Sequence, residues 1–145
     1  MRSEEVEKLK VVIDSSVFVA ALLSESGASA AVVALMLTEK VQGFRTEEIV
    51  AELSEVLLRP KFGLKREAVK HYVRLVTEAS FLVAPLATFR VAKCRDPKDD
   101  KFLSLASQTE ADYLVSLDID LLDLETIGKT NIVRPAAFLQ VFRKR

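Results

Sequence analysis

The sequence predicts an α/β protein, a three-layer α/β/α sandwich around a mostly parallel, roughly five-stranded central sheet. Three observations predict it. Leu9-Lys10-Val11-Val12-Ile13-Asp14-Ser15-Ser16 places three β-branched residues in a row before a carboxylate and two hydroxyls, and an apolar run without period-2 alternation suits a strand buried on both faces. Tyr113-Leu114-Val115-Ser116-Leu117-Asp118 repeats the pattern late in the chain. Short apolar runs near 8–14, 41–45, 81–83, 113–117 and 131–133 alternate with helical segments, which is the order that crossover helices between parallel strands require.

Taken in order, 17–23 is an apolar helical segment, and Ser24-Glu25-Ser26-Gly27 interrupts it with loop composition. Residues 28–40 resume as an alanine-rich helix, apolar nearly all round, so it is expected to pack on more than one side. After the weak strand at 41–45, Thr46 followed by Glu47 and Glu48 reads as an N-cap with acids in the first helical turn. The helix over 47–58 turns Ile49, Leu53, Val56 and Leu57 to the core, with Glu48, Glu52 and Glu55 beside or opposite that face. Arg59-Pro60-Lys61-Phe62-Gly63 stops it. The next helix, 65–79, carries Ala68, Tyr72, Leu75, Val76 and Ala79 at core spacing. Pro85 ends the strand at 81–83, a loop covers 86–98, and 99–108 begins in acids and has apolar residues at 102, 103, 105 and 106, as a helix would. Asp96 or Asp99 is its candidate cap. Asp120 reads as the cap of the Leu121-Leu122 turn. Pro135 opens a closing helix over 136–142, followed by the cationic Arg143-Lys144-Arg145.

With 145 residues, 50% of them hydrophobic, the chain is expected to form one domain over 1–145, with a charged lead at 1–8 and a basic tail at 143–145. Lys plus Arg and Asp plus Glu each total 21. A net charge of zero gives no whole-molecule grip on nucleic acid or membrane, so any such contact must come from local patches. The single Cys94 excludes an internal disulfide and a cysteine-rich zinc site, and fits a reducing interior. The charged lead lacks the apolar core of a signal peptide, and the longest apolar stretch, 30–37, falls short of the roughly 20 residues of a membrane-spanning helix. A cytoplasmic location is expected.

In open α/β sheets, ligands bind in the crevice outside the carboxyl ends of the strands, which is where Asp14 and Asp118 should point. The informative set is Asp14, Asp99 or Asp100, and Asp118, with one acid of the 48–55 helix as a fourth member. Clustered carboxylates repel one another unless protons or cations neutralise them, so the set implies divalent ions. Oxygen donors without paired His or Cys favour Mg2+ or Mn2+ over zinc. Two such ions roughly 3.5–4 Å apart would activate water and stabilise the attacking and leaving oxygens of a phosphodiester.

Four blocks carry a family resemblance: Val12-Ile13-Asp14-Ser15-Ser16-Val17; the helix Glu47-Glu48-Ile49-Val50-Ala51-Glu52-Leu53-Ser54-Glu55-Val56-Leu57; Arg95-Asp96-Pro97-Lys98-Asp99-Asp100-Lys101-Phe102-Leu103; and Leu114-Val115-Ser116-Leu117-Asp118-Ile119-Asp120-Leu121-Leu122. Together, from about residue 9 to about residue 142, they resemble the PIN domain, most closely the VapC-like toxins of toxin–antitoxin pairs. The resemblance implies a metal-dependent endoribonuclease with an acid quartet at Asp14, Glu52, Asp99 and Asp118. Asp14, Asp99 and Asp118 would be metal ligands, Glu52 would help to hold a metal or its water, and cleavage would leave 5′-phosphate and 3′-hydroxyl ends. Asp99 takes the family position over Asp100 because it stands seven residues before the small helix residue, Ala106; Glu52 takes it over Glu48 and Glu55 because it directly precedes Leu53. Ser16 and Ser116 stand where the family often has Asn and Thr, which leaves open how water at the metal is oriented. Also implied are an RNA substrate, an antitoxin partner and a homodimer, the last supported by apolar helices with more hydrophobic surface than one sheet face needs.

Plainer roles compete for the same residues. Asp14 and Asp99 could serve as helix caps, and Glu52 by periodicity alone belongs to a solvated acidic face. Asp120 could also tune the site as a fifth acid. Arg95, Lys98 and Lys101 flank the acids and are candidates to receive RNA phosphates. His71, alone on an amphipathic helix, is read as a surface residue, and Ser15 has no evident His partner for a nucleophilic triad. The competing functions are a catalytically weak RNA- or protein-binding module of the same fold and, more remotely, a phosphoacceptor domain.

Overall fold

The computed structural model describes residues 7–145, so the first six residues of the charged lead lie outside the described residues. The strands are β1 (Lys10–Ile13), β2 (Gln42–Arg45), β3 (Ser80–Leu82), β4 (Tyr113–Val115), β5 (Thr126–Ile127) and β6 (Thr130–Val133). They form one six-stranded sheet in the order β3-β2-β1-β4-β6-β5. All pairings are parallel except β5 with β6. The helices are α1 (Ser15–Leu23), α2 (Ala28–Leu37), α3 (Glu47–Leu57), α4 (Arg66–Glu78), α5 (Asp100–Thr109), α6 (Ile119–Leu122) and α7 (Pro135–Arg143).

The Val11-Val12-Ile13 run is buried on both faces, as its composition requires. Val11 and Ile13 join the core packed by α1, α2, α4 and α7, while Val12 joins that of α5 and Leu121. α3 contributes to both, with Leu53 and Leu57 in the first and Ile49 in the second. α2 has two helical neighbours, α1 and α7, and its Met36 lies against β2 at Gly43. That accounts for a helix apolar nearly all round. Thr46 caps α3 by accepting from the Ile49 N–H at 3.1 Å.

The structure differs from the sequence reading in three places. A sixth strand, β5, lies antiparallel to β6; Gly128, at φ 57°, makes the tight two-residue connection with Lys129. In α4 the buried stripe is Val69, Tyr72 and Val76, whereas Ala68 is exposed and Leu75 is 37% exposed. That helix docks through a narrow seam in which Tyr72 Oη donates to the Phe18 carbonyl at 2.8 Å. Finally, the cap of the Leu121-Leu122 turn is Asp118 rather than Asp120: α6 begins at Ile119, and the Asp118 side chain accepts from the Asp120 N–H at 2.9 Å. Among the described residues no single helix is long and apolar enough to cross a membrane.

Candidate functional site

The parallel register of β1 with β4 sets Ile13 beside Val115, and the Asp14 N–H donates to the Val115 carbonyl at 3.0 Å. The next residues of the two strands, Asp14 and Ser116, therefore meet at the carboxyl edge of the sheet. Asp14 is 4% exposed. Its Oδ1 accepts from the Ser16 N–H at 2.5 Å, which caps α1, and its Oδ2 accepts from the fully buried Ser116 hydroxyl. Burial pushes the Asp14 carboxyl up, the bonds from Ser116 and Ser16 pull against that, and the charge of Asp118 adds to it. Ser116 Oγ in turn accepts from the Asp118 N–H at 2.9 Å, and Ser16 Oγ from the Leu117 N–H at 3.2 Å. Both serines thus link the Asp14 turn to the Asp118 turn.

Asp99 reaches the same place from the other layer, on the turn that leads into α5. Its side chain makes no capping bond to that helix. Burial first, then a hydrogen bond with Asp118 and the charges of Asp118, Asp14 and Asp96, push Asp99 up to about 7. Carboxylate oxygens of Asp99, Asp118 and Asp120 lie within 4.8 Å of one another. Arg95 Nη2 stands 3.5 Å from Asp120 Oδ1 on the rim. Three carboxylates crowded this closely, with a fourth near enough to feel their charge, form an oxygen-only donor set. Such a set fits a hard divalent cation.

Glu52 faces this group from α3 but is already engaged. Its Oε1 accepts from Ser15 Oγ at 3.2 Å, and its Oε2 lies 2.6 Å from Lys101 Nζ. Lys101, read from sequence as a phosphate contact, is only 12% exposed and also donates to the Lys98 carbonyl at 2.5 Å. Lys98 and Arg95 are exposed. The structure thus brings Asp14, Asp99, Asp118 and Asp120 together with Ser16 and Ser116, and sets Glu52 and Lys101 beside them as a pair.

One feature had no reading in the sequence. Asp100, Ser104 and Gln108, successive on one face of α5, fasten the 84–94 loop. Asp100 accepts from the Lys93 and Cys94 N–H groups, Ser104 from Val91 and Gln108 from Leu86. Between loop and helix opens a groove of about 760 Å³ lined by Leu86, Arg90, Val91 and Cys94. Polar residues at i, i+4 and i+8, opposite the apolar face of a helix next to a long loop, were the available signal.

A parallel sheet with acids at the carboxyl ends of its central strands defines an α/β protein with a candidate cation site at the sheet edge. The sequence profile of the PIN domain matches residues 10–120, and the chain belongs to the PIN domain family. It is 28% identical over 155 aligned positions to the uncharacterized protein MJ1680 of Methanocaldococcus jannaschii, covering 99% of this chain and 98% of that one. Its fold is similar to that of VapC20 of Mycobacterium tuberculosis, a sarcin–ricin loop cleaving toxin: the TM-score is 0.56 at 11% identity, over 83% of this chain and 98% of the other.

Proposed function

We propose that the protein is a metal-dependent endoribonuclease that hydrolyses RNA phosphodiesters and acts as the toxin of a toxin–antitoxin pair. The observation that carries this is the convergence of Asp14, Asp99 and Asp118 from three separate elements on one edge of the sheet. Asp99, Asp118 and Asp14 would hold Mg2+ or Mn2+, with Asp120 beside them. A cation there supplies Lewis acidity toward the phosphate and lowers the pKa of the attacking water. The chain's own part is positional. Ser116 and Ser16 fix the Asp14 carboxylate so that it does not rotate as a proton or cation leaves, and the Asp118 N–H bond to Ser116 keeps the two acids in step. Arg95, Lys98 and Lys101 are the cations available to phosphates.

The RNA substrate and antitoxin partner rest on the four-block resemblance and on the fold shared with a sarcin–ricin loop cleaving toxin. A homodimer and a cytoplasmic location belong to the same reading, the dimer no longer resting on α2, whose apolar faces are met by α1, α7 and β2. The test is cleavage of structured and single-stranded RNAs by the purified chain in Mg2+ or Mn2+, with Asp14→Asn and Asp118→Asn beside it. Activity that survives both substitutions would sink the proposal. The weak binding module is favoured by one observation, the capture of both Glu52 oxygens by Ser15 and Lys101. RNA retention without turnover by the metal-loaded protein would select it.

A further inference from the structure

We infer that the Lys101 ammonium stands in for a second divalent ion, so that the site takes one metal ion, held by the aspartates, with Glu52 committed to lysine rather than to metal. This rests on the metal-dependent reading above. Lys101 sits in the first turn of α5, where the helix dipole favours an acid over a cation. Its side chain is 12% exposed, and a lysine withdrawn that far from water needs a strong compensating partner. Glu52 Oε2 at 2.6 Å is that partner, and the Lys98 carbonyl at 2.5 Å takes a second N–H. Glu52 Oε1 accepts from Ser15 at 3.2 Å. Glu52 differs from Asp14, whose two oxygens also accept hydrogen bonds, in that its partner is a cation, and an ammonium at 2.6 Å from Oε2 repels a divalent ion from the same carboxylate.

The pair is tied to the aspartate turns through the chain, since Asp99 and Lys101 flank Asp100 at the start of one helix and Ser15, which donates to Glu52, follows Asp14. Where two ions would bracket a phosphodiester, this arrangement offers one cation and one fixed ammonium. The ammonium has three N–H donors, and two are committed among the described residues. The third would be the one offered to a phosphate oxygen. Lys101 on this account touches substrate, while Glu52 and Ser15 position it.

A pair that only ties α3 to α5 would predict no change in metal count when it is broken, so stoichiometry decides. Mn2+ binding to the full chain is measured by calorimetry and by the electron spin resonance of unbound Mn2+, with no RNA present. Wild type should bind one ion. Glu52→Gln should still bind one with its Kd nearly unchanged, whereas loss of a ligand, or of a residue that orients one, weakens binding by about tenfold or more. Lys101→Met should free Glu52 and admit a second ion. Two ions on wild type, loss of the ion in Glu52→Gln, or a folded Lys101→Met that still binds one would overturn the inference and leave the nuclease reading standing. No ion on wild type overturns both. Should Lys101→Met not fold, the wild-type count and Glu52→Gln decide between them.

Discussion

At the scale of single residues, Asp14 holds a position that is poor for stability and suited to chemistry. Its burial opposes ionisation, and two bonds from Ser116 and Ser16 only partly offset that. Asp14→Asn removes the buried charge while keeping an oxygen for the Ser16 N–H. RNA cleavage should fall by at least about a hundredfold, equivalent to about 2.7 kcal/mol at the transition state. Stability in urea denaturation should hold or rise by about 1 kcal/mol. A matching loss of stability would assign Asp14 to the fold instead. Asp99 gives a pH dependence with a definite sign. Its carboxyl is pushed from 3.8 unfolded to about 7 folded, so the folded state holds the extra proton. That contribution is complete below the unfolded value and lost as the pH rises through about 7. Asp14, raised by burial, acts in the same direction. In chelator the melting temperature should therefore be lower near pH 8 than near pH 5, and Asp99→Asn should flatten the difference. The positions of Asp14 and Asp118 could be read from the sequence because a buried strand ends visibly. The pairing of Glu52 with Lys101 could not: it depends on how α3 lies across α5, and side-chain spacing within one helix carries no information about that.

At the scale of elements, β2 and α2 meet through the one glycine whose missing Cβ matters. A Cβ on Gly43 would stand 2.5 Å from Met36 Sδ and 2.8 Å from its Cγ. Met36 is 1% exposed, so its flexible chain has little room to yield. Gly43→Ala should cost about 1–3 kcal/mol by overpacking, seen as a lower denaturation midpoint with an unchanged m-value. A neutral result would mean that α2 slides on the sheet. The strand positions were readable because β-branched runs and turn residues mark them locally. β5 was missed because two residues, Thr126 and Ile127, carry no periodicity, and only the Gly128 turn announces the hairpin. The buried stripe of α4 was misjudged because a helix with apolar residues at 68, 69, 72, 75, 76 and 79 has two plausible core faces, and Tyr72 reaching Phe18 selects one.

At the scale of the whole molecule, the zero net charge and the internal pairing of the site's cations together would limit how the proposed RNA substrate is held. Of the three basic residues beside the acids, Lys101 is tied to Glu52 and Arg95 lies against Asp120. Each phosphate neutralised by a protein cation releases counterions, with a slope in log affinity against log salt of about −0.7 per contact for a single strand. A site with one or two such contacts should show a slope of about −0.7 to −1.4, a loss of affinity of about threefold to sevenfold between 50 and 200 mM salt. Fluorescence anisotropy with Asp118→Asn, to suppress turnover, measures this at fixed Mg2+. A slope steeper than about −4 would require a wider basic surface. The 59–66 segment, with Arg59, Lys61, Lys65 and Arg66, and the Arg143-Lys144-Arg145 tail are the places to look for one. Removing the tail charges should leave a shallow slope unchanged and reduce a steep one. A shallow slope leaves discrimination among RNAs to contacts other than phosphate charge, where affinity depends little on salt.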